Sequence, residues 1–270
     1  MSLTNPAPRI LVFDSGVGGL SIVHEIQQKL PSIPLIYASD NAFFPYGTKG
    51  ETELIARVDA VFHKLTATYP VDIIVVACNT ASTLALPHIR SHFSQPTVGV
   101  VPAIKPAAAL SKSQVIGLLA TPATVARPYT HNLIREYAPN AEVISVGSSE
   151  LVQIAEQKLR GEKITAEQLK PILQPFFDHP HGKDMDVLVL ACTHFPLLRD
   201  ELSAQFPAHV QLIDSGEAIA RRVLSLLGER QFSEQAPEHL AVFTKASTAI
   251  EALQPQLIQF GIHNLDILEV

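Results

Sequence analysis

Two cysteines are the residues of this chain best suited to proton transfer or nucleophilic chemistry, and the 270 residues contain no others. Cys78 follows the apolar run Ile73-Ile74-Val75-Val76-Ala77 and precedes Asn79-Thr80. Cys192 follows Val187-Leu188-Val189-Leu190-Ala191 and precedes Thr193-His194. Each stands at the end of a buried-type strand, ahead of a helical pattern, where open parallel α/β sheets bind their ligands. Thiols delivered in this way suit a site with one sulfur on each side of a substrate. Taken singly, a free cysteine at a strand end is ordinarily a small buried hydrophobe. As a base near neutrality it needs activation, because a free thiol has a pKa of about 8.5. Asp14 and His194 are candidate assistants, although His194 equally suits a structural role or a helix cap.

Other segments supply polar groups. Asp14-Ser15-Gly16-Val17-Gly18-Gly19 lies where a strand passes into a helix, and its backbone N–H groups can bind an anion. The dinucleotide fingerprint fails there, because its third glycine is replaced by Ser21. The plainer reading is a tight turn with a capping aspartate. Pro45-Tyr46-Gly47 can close over a small ligand, with Tyr46 as wall or hydrogen-bond donor, or be an ordinary turn. No C-x-x-C pairing occurs and the 11 histidines are scattered, so no metal site is expected. P-loop, G-x-S-x-G and H-E-x-x-H motifs are missing too.

The elements that must position these groups follow an α/β pattern, with short β-branched runs alternating with helical stretches. Strands are expected near Ile10–Phe13, Leu35–Ala38, Ile73–Ala77, Thr97–Val101, Val115–Leu119, Val143–Val146, Val187–Ala191 and Gln211–Ile213. Their apolar runs are continuous, as in a parallel sheet covered on both faces. Thr48-Lys49-Gly50-Glu51 predicts a capping box opening a helix through Val61. Asn79 or Thr80 is expected to cap the next helix. Pro128 should kink its helix or mark the true start. Surface loops are expected at Gln174–Lys183 and Glu229–Glu238. Asp14-Ser15-Gly16 is echoed by Asp214-Ser215-Gly216, and Cys78 by Cys192, which hints at two similar halves.

Composition narrows the class. The chain is 47% hydrophobic and 17% charged, with net charge -6 and no basic run, which argues for a well-buried globular protein without broad nucleic-acid binding. No apolar stretch approaches the roughly 18 residues of a membrane helix. The segment MSLTNPAPR lacks the apolar core of a signal peptide, so a cytoplasmic location is expected.

Five blocks in order carry a resemblance: Phe13-Asp14-Ser15-Gly16-Val17-Gly18-Gly19-Leu20, Pro45-Tyr46-Gly47-Thr48-Lys49, Ala77-Cys78-Asn79-Thr80-Ala81, Cys192-Thr193-His194-Phe195-Pro196-Leu197 and Asp214-Ser215-Gly216. Together they resemble the glutamate racemases of the wider aspartate/glutamate racemase group. The resemblance implies cofactor-independent racemisation of L-glutamate to D-glutamate for peptidoglycan synthesis. It implies two similar open parallel-sheet α/β domains with the active site in the cleft between them: residues 1–98 with 210–270, carrying Cys78 and Asp214, and residues 99–209, carrying Cys192. Cys78 and Cys192 are then the two bases, assisted by Asp14 and His194, and a family glutamate falls on Glu156. Substrate would be bound by Asp14, Ser15, Tyr46, Gly47, Asn79, Thr80, Thr121, Thr124, Thr193 and His194. Gly147-Ser148-Ser149-Glu150-Leu151 and Asp40-Asn41 depart from many relatives and look like the Gram-negative subgroup, some of whose members are activated by UDP-N-acetylmuramoyl-alanine. The family's variable assembly admits a homodimer.

Three other readings compete. A related racemase acting on aspartate would differ in substrate profile. A small-ligand binding protein on this scaffold would need no second thiol, although a binding role such as the gyrase inhibition known for some family members can coexist with catalysis. A thiol–disulfide oxidoreductase would usually carry C-x-x-C.

Overall fold

The computed structural model describes residues 8–228 and 236–270, so the N-terminal stretch and most of the loop expected at 229–238 lie outside the described residues. In chain order the elements begin β1 (Ile10–Asp14), α1 (Leu20–Lys29), β2 (Leu35–Ser39), α2 (Glu51–Thr68), β3 (Ile73–Val76), α3 (Asn79–His92) and β4 (Thr97–Gly99). Then come α4 (Ile104–Leu110), β5 (Val115–Ala120), α5 (Pro122–Ala126), α6 (Pro128–Tyr137), β6 (Glu142–Gly147), α7 (Glu150–Leu159), α8 (Ala166–Asp178), β7 (Val187–Leu190), α9 (Arg199–Ser203) and β8 (Gln211–Ile213). The chain ends with α10 (Gly216–Leu227), β9 (Leu240–Phe243), α11 (Thr248–Gln259) and β10 (Asn264–Ile267). None of the described helices is long and apolar enough to cross a membrane.

Two compact units result, residues 1–100 with 216–270, and residues 101–215. The first holds a six-stranded sheet in the order β10-β9-β2-β1-β3-β4, and the second a four-stranded sheet in the order β6-β5-β7-β8. Every strand pairing is parallel. The central strands β1, β2, β3, β5 and β7 are buried at every residue, which accounts for their continuous apolar runs. In the first unit Leu11, Phe13, Ile74 and Val76 pack against Leu54, Val58, Phe62 and Ile89 of the covering helices. In the second, Ile116, Leu118, Val187 and Val189 pack with Ile104 and Ala107 of α4.

The structure corrects several expectations. Residues 210–215 do not join the first unit. β8 pairs in register with β7, Val187 facing Gln211 and Val189 facing Ile213, and Ser215 donates to the Val101 carbonyl, so the first unit resumes only at Gly216. Asp214 therefore stays with the second unit. The capping box at Thr48 does not form, because the Thr48 hydroxyl donates to the Pro45 carbonyl at 3.1 Å and Gly50 occupies the cap position of α2. A true capping box opens α8 instead, between Thr165 and Gln168. α3 begins at Asn79, so neither Asn79 nor Thr80 caps it; the cap position is Cys78 itself. Pro128 begins α6, and helix continues to Asp178 where a loop was expected from Gln174. β9 and β10 were not anticipated.

Candidate active site

The carboxyl ends of the first sheet bring Asp14, Ser15 and Cys78 together. β1 and β3 are neighbours, with Phe13 opposite Val76, and the Ala77 N–H donates to the Phe13 carbonyl at 2.7 Å. Asp14 and Cys78 thus leave adjacent strands one and two residues past the same rung. The Ser15 N–H donates to Asp14 Oδ1 at 2.6 Å, and Ser15 Oγ lies 3.7 Å from Cys78 Sγ. Asp14 is fully buried, and Cys78, Asn79 and Thr80 are buried beside it. Gly19 makes this packing feasible, since a Cβ there would sit 2.9 Å from Asp14 Cβ and 3.3 Å from Ala77 Cβ. Asn79 Oδ1 is buried and unpartnered within the protein. A buried acceptor without a donor is costly, so this atom suits a ligand that brings one.

The Tyr46 hydroxyl is not a free donor. Its hydroxyl is committed to Asp40 Oδ2 at 2.7 Å, and its ring packs against Phe13 and Phe43. Burial, then the Asp40 carboxylate, pushes the Tyr46 phenol far above its ordinary range, so it stays neutral. Asp40 is itself held by Arg57 Nε at 2.9 Å and Nη2 at 2.6 Å, and by the Thr244 hydroxyl at 2.7 Å. Arg57 and Thr244 were not among the expected site residues. Thr244 reaches Asp40 only because β9 inserts beside β2. Gly47 follows in a short 3-10 turn, Tyr46–Thr48.

The second unit holds the Cys192 set. The Ala191 N–H donates to the Leu119 carbonyl at 2.8 Å, which carries β7 to its end beside β5. Cys192 Sγ lies 3.9 Å from His194 Nδ1, and His194 Nε2 lies 2.9 Å from Glu156 Oε1. Arg160 Nη1 reaches Glu156 Oε2 at 3.3 Å. Thr193, His194 and Glu156 are all buried. Burial alone would lower the His194 pKa, but its contacts with Cys192 and Glu156 outweigh that and hold it well above the ordinary imidazole value. The assembled row of thiol, imidazole and carboxylate can activate sulfur and orient the ring.

Glu156 reaches this row from α7, whose N-terminus is tied by the Ser148 hydroxyl, accepting from the Leu151 N–H at 3.0 Å. The carboxylate falls on the helix's buried face, beside Val152, Ala155 and Leu159. Thr121 caps α5, its hydroxyl 2.9 Å from that of Thr124, so both threonines lie past the end of β5 in the same unit. The echo at Asp214 differs chemically from Asp14, for its carboxylate is paired with Arg199. Among the described residues no group of three or more His, Cys, Asp or Glu could hold a metal ion.

Comparison with known proteins matches residues 18–223 to the Asp/Glu/Hydantoin racemase family model. The chain is 47% identical to a glutamate racemase of Salmonella typhimurium over 99% of its own length and 94% of that protein's. Among solved structures it is similar to Escherichia coli glutamate racemase in complex with L-glutamate and activator UDP-MurNAc-ala. The TM-score is 0.92 at 46% identity, covering 98% of this chain and 99% of that one. It is also similar to the Bacillus anthracis glutamate racemase isoform RacE1, with TM-score 0.82 and 27% identity over 98% of each chain.

Proposed function

The chain belongs to the Asp/Glu/hydantoin racemase family and racemises glutamate, and we propose that it does so with two thiols and no cofactor. The observation that carries this mechanism is a buried free cysteine at the carboxyl end of a central parallel strand in each sheet, each with its own polar assistants. Inverting a carbon centre needs a base on one face and an acid on the other. Cys192, as thiolate, takes the α-proton of L-glutamate while the Cys78 thiol delivers a proton to the opposite face, and D-glutamate results. In the reverse direction the two exchange roles, Cys78 taking the α-proton of D-glutamate.

Each assistant has a task. His194, oriented by Glu156 and carrying positive charge, stabilises the Cys192 thiolate. Asp14, anchored by the Ser15 N–H, serves Cys78. The orphaned Asn79 Oδ1 accepts from the substrate ammonium, and Thr80, Thr193, Thr121 and Thr124 bind the carboxylates with nearby backbone N–H groups. Tyr46 and Gly47 wall the substrate. The D-glutamate serves peptidoglycan synthesis, in the reducing cytoplasm that two free thiols suit. UDP-N-acetylmuramoyl-alanine activates this chain as well, a reading supported by its 46% identity to the E. coli protein.

The test is incubation with L-glutamate in deuterated water without added cofactor, with and without UDP-N-acetylmuramoyl-alanine. D-glutamate should appear carrying α-deuterium, faster with the nucleotide. Racemisation without α-deuterium uptake would eliminate the two-thiol route, and a rate indifferent to the nucleotide would remove the activator.

A further inference from the structure

α7 makes two separate links to the segment after β7. Glu156 binds His194, as described. Two residues on, Lys158 Nζ donates to the Leu197 carbonyl at 2.8 Å and meets Glu201 Oε1 at 2.7 Å and Oε2 at 2.8 Å. The Leu197 N–H in turn donates to the His194 carbonyl at 3.2 Å, and the Phe195 N–H to the Cys192 carbonyl at 3.0 Å. The carbonyl gripped by Lys158 therefore belongs to the residue that closes the turn on His194. Phe195 and Leu198 are fully buried and anchor the turn from below.

We propose that Lys158 is a positioning residue for the Cys192–His194 pair, holding the turn that carries them against α7 through Leu197 and Glu201. The inference rests on the two-thiol reading above. Side chains two apart on a helix point in different directions. The Glu156 and Lys158 links therefore grip the turn from two sides and oppose rotation of α7, which either link alone would permit. Partly exposed ion pairs such as Lys158–Glu201 contribute little to stability. Displacement of a catalytic group by 1 Å, however, can cost about a hundredfold in rate. The effect of losing Lys158 belongs mainly to catalysis.

The test compares Lys158→Met, Lys158→Arg and Glu201→Gln with the wild type on both enantiomers, using α-protiated and α-deuterated substrate. Alkylation of Cys192 relative to Cys78 by iodoacetamide is read in parallel by peptide mass spectrometry. Lys158→Met should lower kcat about tenfold while KM moves by no more than about threefold. Its α-deuterium isotope effect should rise more for the enantiomer deprotonated by Cys192 than for the other. Relative alkylation of Cys192 should fall about threefold as His194 drifts from the sulfur. Lys158→Arg should restore most of the loss, and Glu201→Gln, which leaves the bond to Leu197, should fall between. Unchanged isotope effects and alkylation ratio in Lys158→Met would overturn the proposal, even if total activity dropped. Should Lys158→Met fail to fold, the same two readouts in Glu201→Gln decide. A wild type that neither racemises nor exchanges would defeat the two-thiol reading alone, since the alkylation ratio still reports on Lys158.

Discussion

A carboxylate on the apolar face of a helix is expensive unless it is paired, and Glu156 meets that condition. Its partners are His194 at 2.9 Å and Arg160 at 3.3 Å. Because the folded pKa of His194 is raised above its unfolded value, its charge contributes stability that is fully present below about pH 6.5. That contribution is lost as pH rises through the higher folded value. The difference in thermal midpoint between wild type and His194→Gln should therefore be greatest in acid and shrink under alkaline conditions; a difference constant from pH 5 to 9 would contradict the charge assignment. At the thiols, Cys78→Ala or Cys192→Ala should each cost about 10²- to 10⁴-fold or more in kcat with the fold intact by circular dichroism. Near-normal racemisation by either variant, followed by chiral chromatography, would refute the two-base mechanism.

At the scale of elements, small side chains and caps set where these groups point. α1 approaches the ends of β1 and β3 closely because Gly19 has no Cβ. Gly19→Ala must push Asp14 or Tyr37, whose nearest atoms would lie 2.9 and 3.1 Å away. Its kcat should fall about tenfold or more, by displacement of Asp14 rather than by global unfolding, and comparing activity with the thermal midpoint separates the two. The caps give a paired prediction. Thr165→Ala should destabilise by about 1 kcal/mol, since it removes a formed capping box. Thr48→Ala should stay within about 0.5 kcal/mol, since its hydroxyl bonds only the Pro45 carbonyl in an exposed turn. Urea denaturation of both variants checks the ordering.

For the molecule as a whole, the chain leaves the first unit after residue 100, builds the second, and returns at Gly216 to add β9 and β10 to the first sheet. The return is chemical as well as structural, because Thr244, past the end of β9, completes the polar shell of Asp40, on which the Tyr46 hydroxyl rests. A ligand that binds only the native state stabilises it by about 2.7 kcal/mol at a hundredfold excess over its Kd. Glutamate should therefore raise the thermal midpoint of the Cys78→Ala variant, in which binding is uncoupled from turnover. Absence of any shift at high glutamate would contradict the proposed role of Asn79 in binding it.

Local pattern sufficed for much of this. Apolar runs marked eight of the strands, and in β1, β2, β3, β5 and β7 those runs are continuous because strands buried on both faces tolerate no alternation. The matched settings of Cys78 and Cys192 were visible because a reactive group at a strand end needs only the strand and the residue after it. β9 and β10 escaped notice: β10, Asn-Leu-Asp-Ile at 264–267, is a half-exposed edge strand with a weak periodic signal, whereas β9 is an interior, mostly buried strand of only four residues. Glu156 was placed by resemblance, though a lone acid in the stripe Val152, Ala155, Leu159 was itself a signal. Only tertiary structure could decide that Thr48 turns back to Pro45, that Tyr46 spends its hydroxyl on Asp40, that Asp214 belongs with Arg199, and that Lys158 meets Leu197. Each of these depends on which of several competing partners the folded backbone brings within reach of a polar atom. Hydrogen bonds and ion pairs act over a few ångströms, here between residues 3 to 39 positions apart, a relation that sequence spacing does not encode.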